Sequence, residues 1–127
     1  MNVFSLKQTN IFITMLFMAF LVGAGSTSVL AQDYKETFNA AREAAQAKDL
    51  KTALTKFTSA ADGAKEAGDK PVEKQARKII SQIEYNLGRA SLRADDFEGA
   101  IAHFDNGIAQ YPTNALNYLA RASALKK

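Results

Sequence analysis

DLKTALTKFTSA at residues 49–60 has the same pattern as DFEGAIAHFDNG at residues 96–107. Each stretch has an alanine four residues after its aspartate, a phenylalanine four residues later and a small residue three further on. Phe57 and Phe104, the two phenylalanines, are 47 residues apart. Residues three and four apart lie on one face of a helix, where small residues let a second helix approach and a phenyl ring fills the remaining space. The pattern predicts an internal repeat of packed helices.

The remainder of residues 32–127 is also predicted to be helical. Alanine is abundant, and no alternating strand pattern of useful length occurs. Gly68 is expected to end one helix, Asp69 to cap the next, and Pro71 to stand in its first turn. Apolar spacing predicts five helices, at about 34–47, 50–67, 71–93, 97–110 and 115–126. The predicted fold class is therefore all-α, built from antiparallel helix hairpins.

These residues resemble the tetratricopeptide repeat (TPR) family, whose 34-residue pattern contains a leucine–glycine pair, an alanine four residues before a phenylalanine, and a closing proline. The better copy is residues 81–114, whereas the copy at 34–67 has Ala40 and Ala41 in place of the leucine–glycine pair and Lys65 in place of the proline. The resemblance implies a short right-handed solenoid of about two and a half repeats. The residues it assigns to repeat packing are Ala53, Phe57, Ala60, Leu87, Gly88, Ala100, Phe104 and Pro112.

The predicted array is short and irregular. The 47-residue spacing exceeds 34 by 13, so the helix over 71–93 is expected to be extended at its N-terminal end. A partial third copy begins at Ala115, has Tyr118 at the first aromatic position, and is interpreted as a capping helix over 115–126. Arrays of this kind usually need three repeats. The chain could therefore be a fragment of a longer array, complete its core with a second copy, or form a generic alanine-rich helical bundle.

Residues 1–31 are predicted to be a signal peptide. Their only charged residue is Lys7, residues 11–22 form an apolar run interrupted by one threonine, and small residues lead to a cleavage site at Ala31/Gln32. Twelve apolar residues are too few to span a bilayer, which needs about twenty. The expected location is periplasmic or secreted, in a bacterial envelope, with no membrane span after cleavage. The alternative is an uncleaved anchor.

Composition excludes several classes of chemistry. The 127 residues contain no cysteine and one histidine, which excludes disulfides, thiol nucleophiles and multi-histidine metal sites. Without residues 1–31, the chain has 96 residues and a net charge of +2 (15 basic, 13 acidic), with both signs interspersed. This balance does not indicate a nucleic-acid partner. We expect no cofactor and no metal.

No constellation of residues predicts catalysis. Asp95, Asp96 and Glu98 are interpreted as capping a helix N-terminus, where carboxylates are favoured by free amides and the helix dipole. His103 has no nucleophile or paired acid at a suitable helical offset and is expected to be partly exposed. The protein is therefore not expected to be an enzyme.

One predicted helix face could bind a partner. The TPR resemblance implies a concave groove lined by the first helix of each repeat, and arginine beside an aromatic ring suits carboxylate-bearing or amphipathic peptides. No asparagine lies on this face, which argues against capture of a C-terminal carboxylate. The same residues could instead be a solvated face, with Phe38 or Tyr85 buried between hairpins. The predicted binding residues are Lys35, Phe38 and Arg42 on the first helix and Gln82, Tyr85, Arg89 and Arg93 on the third, and Leu116, Leu119, Ser123 and Lys126 would continue this face on the last.

The sequence thus predicts an exported TPR-like protein–protein interaction module that binds a peptide or partner protein through its concave helical face. The alternative is a structural or oligomerising subunit of an envelope assembly, which associates with itself through the ends of its repeats.

Overall fold

The computed structural model describes residues 33–127, and 83% of these residues are helical, with no strand among them. The helices are α1 (33–46), α2 (Leu50–Glu66), α3 (Lys70–Arg93), α4 (Phe97–Gln110) and α5 (Ala115–Ala124). The prediction of an all-α fold is confirmed. The predicted signal peptide and its cleavage site at Ala31/Gln32 lie outside the described residues. Within 33–127, no helix is both long enough and apolar enough to cross a membrane.

Side-chain caps begin α2, α3, α4 and α5, and the sequence predicted those of α3 and α4. Asp49 accepts a hydrogen bond from the amide of Thr52 at 3.2 Å, and Asp96 accepts one from Gly99 at 2.9 Å. Asp69 and Asn114 cap α3 and α5 in the same manner. A side-chain acceptor of this kind satisfies one of the amides left free at a helix start.

The turns inside the two hairpins have the same backbone conformation. Lys48 and Asp95, which are 47 residues apart, both have positive φ, at 62° and 58°. Each precedes the aspartate that caps the next helix. Asp95 therefore makes the left-handed turn and Asp96 alone caps α4, which corrects the expectation that both act as caps.

Helix α5 is shorter than predicted. It ends at Ala124 instead of residue 126, because the amides beyond Leu125 bond only three residues back, that of Lys126 to Ser123 at 3.4 Å and that of Lys127 to Ala124 at 3.3 Å. These bonds form a closing turn and do not extend the helix.

The core contains two clusters of buried side chains. The larger lies between α1, α2 and α3, and the smaller joins α4 to α5 and to the side of α3. Phe57 and Phe104, the repeated phenylalanines, are 1% and 0% exposed and are the largest fully buried side chains of the described chain. The larger cluster comprises Phe38, Ala41, Ala53, Phe57, Ala60, Ala61, Ala76, Ile80 and Ile83; the smaller comprises Ala100, Phe104 and Ala124.

The residues assigned to repeat packing occupy different environments. Gly88 is buried directly against Phe104, and a methyl group on Gly88 would lie 2.5 Å from Cε1 of that ring. Leu87 is half-buried at the edge of the larger cluster. Pro112 is exposed in the α4–α5 turn. Close packing of the second hairpin therefore depends on the glycine, while the proline affects only the connection.

Candidate functional site

A cleft of about 330 Å³ lies between α3 and α5 and is closed by the α4–α5 turn. Its volume is at the lower end of the range for ligand-binding pockets, which is enough for one or two amino-acid side chains. Polar and apolar groups both contribute to its walls. The lining residues are Lys78, Gln82, Tyr85, Tyr111, Thr113, Asn114, Ala115 and Leu116.

A buried polar network fixes α5 beside α3. The Asn117 side chain is fully buried, and its Nδ2 donates to Ser81 Oγ at 2.9 Å and to the Ser81 carbonyl at 3.3 Å. Asn114, the cap of α5, also donates to Ser81 Oγ, at 3.0 Å. Gly107 makes room for the network, since a methyl group there would lie 2.6 Å from Asn117 Nδ2. The network places Leu116 on the cleft wall opposite α3.

Tyr85 connects the smaller core cluster with the cleft. Its half-buried ring has its centroid 6.2 Å from that of Phe104, and the guanidinium carbon of Arg89 lies 5.7 Å from the Tyr85 centroid. Both separations lie within the usual ranges for aromatic pairs and for cation–π contacts. A partner side chain that enters the cleft would therefore contact the Tyr85 ring, which also packs near Phe104 of the smaller core cluster.

The exposed face of α3 has a pair of basic residues in each half of the helix. Lys74, Lys78, Arg89 and Arg93, which we call the basic row, are all exposed and lie within an arc of about 100° on the helix. In the described part of the chain, no carboxylate lies within salt-bridge distance of the basic row. These four cations are therefore available to an external anion.

The two acids of α3 are engaged elsewhere. Glu73 pairs with Arg77 at 3.0 Å, and the buried Glu84 lies 2.7 Å from Nδ1 of His103 on α4. The lysines of α3 also act on Tyr111 in the α4–α5 turn. A hydrogen bond with Thr113, together with the positive charges of Lys74 and Lys78, lowers the pKa of Tyr111. The cleft is therefore electrostatically positive on its α3 side.

The structure brings only some of the predicted binding residues to this cleft. Gln82 and Tyr85 line it, Arg89 lies over Tyr85, and Arg93 is exposed near the C-terminal end of α3. On α1, Lys35 and Arg42 are exposed but do not line the cleft.

Phe38 requires a correction. It is 8% exposed and meets Phe57 edge to face, with ring centroids 5.2 Å apart, because α1 turns this side toward α2. Phe38 therefore belongs to the larger core cluster and is not on the binding surface. Burial of Phe38 between helices was the alternative that the sequence left open.

Several residues that line the cleft, and Lys74 of the basic row beside it, were missed from the sequence. Lys74 and Lys78 precede Gln82 at four-residue steps, so extending the predicted face toward the N-terminus of α3 would have found them. Tyr111 and Thr113 line the cleft because of the path of the α4–α5 turn. Asn114 lines it because its side chain is hydrogen-bonded to Ser81 on α3. Helical spacing carries no signal for these three.

The Glu84–His103 pair was also missed, because its partners lie on different helices. His103 is half-buried, as expected, but its carboxylate partner comes from α3 and not from its own helix. No nucleophile accompanies the pair among the described hydrogen bonds. No group of three or more potential metal ligands occurs within residues 33–127. The Glu84–His103 contact ties α3 to α4.

Comparison of the chain with protein-family models, with curated proteins and with solved structures gives no match in any of the three. The function is therefore inferred from the residues and geometry of the chain itself.

Proposed function

We propose that the protein is an exported TPR-like interaction module, without catalytic activity, that binds a peptide or a segment of a partner protein between α3 and α5. The observation that carries this proposal is the cleft of about 330 Å³, with Gln82 and Tyr85 on one wall and Leu116 on the other. Leu116 is 52% exposed, and a large apolar side chain beside a half-buried tyrosine is typical of surfaces that bind proteins.

Three observations support the TPR-like character of the fold. The two helix hairpins have the same turn conformation at Lys48 and Asp95. Phe57 and Phe104 occupy equivalent buried positions 47 residues apart, and Gly88 allows the close helix contact for which the family pattern uses glycine. The first helices of the second and third units, α3 and α5, are the ones that line the cleft.

The proposed export rests on the pattern of residues 1–31. A single lysine, a twelve-residue apolar run and small residues before Ala31/Gln32 favour a cleaved signal and a periplasmic or secreted protein. N-terminal sequencing of the protein recovered outside the cytoplasm should begin near Gln32, and retention of residues 1–31 would contradict the proposal of cleavage.

A second candidate function is self-association through the end of the array. Tyr118, Leu119 and Leu125 on or beside α5 are 46%, 66% and 61% exposed, which is a large apolar area for a helix of ten residues. Light scattering after size-exclusion chromatography tests this alternative. A monomer at all concentrations would exclude it, whereas a dimer that dissociates in Leu119→Ser with Leu125→Ser would favour it.

Selection of peptides from a random displayed library tests the binding proposal, with the protein purified from cells that express the full chain. We expect enriched peptides whose binding is weakened by Gln82→Ala with Leu116→Ala, because both side chains line the cleft and are exposed enough to be removed without unfolding the chain. A matched control is Lys51→Ala with Thr55→Ala on the exposed side of α2. Failure to enrich any peptide, or equal binding by both double variants, would contradict the proposal.

A further inference from the structure

We infer that the cleft takes an acidic protein segment with one large apolar side chain, seated between Tyr85 and Leu116 while its carboxylates lie along the basic row. This inference rests on the proposed function, since it specifies the chemistry of the segment that the cleft binds. It is carried by charge complementarity, by the spacing of the cations and by the composition of the cleft walls.

The charges around the cleft have one sign. Lys78 lines the cleft, Lys74 lies close enough to lower the pKa of Tyr111, and Arg89 stands over Tyr85. Residues 106–127, which supply the α4–α5 turn and α5, contain no acid. Arg121, the only charged residue within α5, is paired with Asp105 at 2.6 Å. A basic segment would meet unopposed repulsion here, whereas an acidic segment would find partners already exposed.

The spacing of the basic row suits a polypeptide. Lys74 and Lys78 are one four-residue step apart, as are Arg89 and Arg93, which places each pair about 6 Å apart along the helix axis. Alternate side chains of an extended peptide are separated by about 6.5 Å. Acidic residues at alternate positions could therefore meet the two cations of either pair without distortion of either chain.

The middle of the row is not basic, and this interruption indicates an apolar anchor. Gln82 and Tyr85 lie between Lys78 and Arg89, opposite Leu116. Leu119, 66% exposed, continues the apolar surface along α5. The cleft volume accommodates one or two side chains, and burial of a leucine or phenylalanine against Tyr85 and Leu116 would add apolar contact that phosphate groups cannot supply. A nucleic acid would instead use an uninterrupted basic surface.

The peptide selection described above also tests this inference, through the composition of the enriched sequences. We expect them to combine aspartate or glutamate with a large apolar residue, and synthetic copies to bind more weakly as salt is added. Lys78→Glu with Arg89→Glu should weaken binding of an acidic copy by about tenfold or more. The matched control, Lys51→Glu with Lys65→Glu, reverses two exposed lysines of α2 and should leave the affinity within about twofold.

The outcomes separate this inference from the proposed function. Peptides that need Gln82 and Leu116 but show no excess of acidic residues would overturn the inference and leave the binding function standing. Absence of any enriched peptide would overturn both. A single-stranded oligonucleotide, or vesicles of anionic lipid, that bind through Lys78 and Arg89 more tightly than any acidic peptide would assign the basic row to another class of partner. Circular dichroism of each variant should match that of the unaltered protein, since all substituted residues are exposed.

Discussion

The two hairpins of this protein, α1–α2 and α3–α4, have the same turn conformation, but their buried side chains differ. In α1–α2, Ala41 is the residue equivalent to Gly88, and Phe57 belongs to a cluster of nine buried residues, three of them from α3. In α3–α4 the equivalent position is Gly88, which touches Phe104, and only three residues of that cluster are fully buried. The first hairpin is stabilised by apolar volume, whereas the second depends on the close approach of two helices. The cleft lies beside the second hairpin.

The two hairpins also differ in the polar contact between their helices. The Glu84–His103 pair links α3 to α4, while the residues at the equivalent positions of the first hairpin are Thr37 and Lys56. A hydrogen-bonded buried carboxylate fixes the relation between two helices more narrowly than apolar packing does. The second hairpin thus has a small core, and a buried polar contact fixes its two helices beside the cleft. The first hairpin contributes more buried apolar surface to the stability of the fold.

The junctions between successive units are also related. Tyr34 donates to Asp69, the cap of α3, at 2.8 Å, and 47 residues later Ser81 accepts from Asn114, the cap of α5, at 3.0 Å. In both cases, a residue early in one unit holds the start of the next. The acceptor is a carboxylate at the first junction and a neutral hydroxyl at the second, so only the first should respond to acid.

Removal of either repeated phenylalanine should have the largest effect. Phe57→Ala and Phe104→Ala are each expected to lower the free energy of unfolding by about 3–5 kcal/mol, since each leaves a cavity in a fully buried site. Urea denaturation measures the loss. Native-state hydrogen exchange sharpens the comparison: Phe104→Ala should deprotect α4 and α5 first, because its cluster is small. Equal loss of protection in α1 and α2 would mean that the hairpins are not separate stability units.

Substitution of Gly88 and of its equivalent, Ala41, should have intermediate effects on the free energy of unfolding, and the two effects should differ in size. Gly88→Ala is expected to destabilise by about 1–3 kcal/mol, because the new methyl group meets the Phe104 ring and overpacks the site. The matched change Ala41→Gly should cost only about 1 kcal/mol, chiefly through backbone entropy.

A double-mutant cycle identifies the cause of the Gly88 effect. With Phe104→Ala already present, Gly88→Ala should become neutral or stabilising, because the clash is gone and alanine favours the helix. A destabilisation that persists in this background would show that the ring contact is not responsible.

The smallest expected effect is the acid response of the first junction. The hydrogen bond from Tyr34, the amide of Val72 and the charge of Lys35 lower the pKa of Asp69 below its ordinary value. A carboxyl group with a lowered pKa in the folded state contributes stability above its unfolded pKa of about 3.9, and this contribution is lost as the pH falls toward the folded value. The melting temperature should therefore fall less between pH 6 and pH 3 in Tyr34→Phe than in the unaltered protein. Ser81→Ala, the matched control at the second junction, should lower the melting temperature equally at both pH values; a pH-dependent effect there would break the comparison.

Local signals in the sequence were enough to predict the helices, their caps and the repeated positions. Helical periodicity, the aspartate before each of α2, α3 and α4, and the local pattern around each of Phe57 and Phe104 depend on residues within one or two turns of each other, so they can be recognised without the fold. For the same reason, helical spacing alone places Gln82, Tyr85 and Arg89 together on one face of α3. The exposure of individual positions was less accessible, as Phe38 shows: the periodicity that places it beside Lys35 and Arg42 does not reveal which side α2 will cover.

Contacts between helices depended on how the hairpins pack. Glu84 meets His103 from 19 residues away, and Asn117 reaches Ser81 across 36 residues. No local pattern distinguishes a buried asparagine from an exposed one, and the room for Asn117 exists only because Gly107 of a third helix faces it. The cleft itself is the space left where α5 docks against α3. Its residues on α3 could be identified from helical spacing, but those of the α4–α5 turn could not, and their arrangement as a site follows from long-range packing, which short-range spacing does not encode.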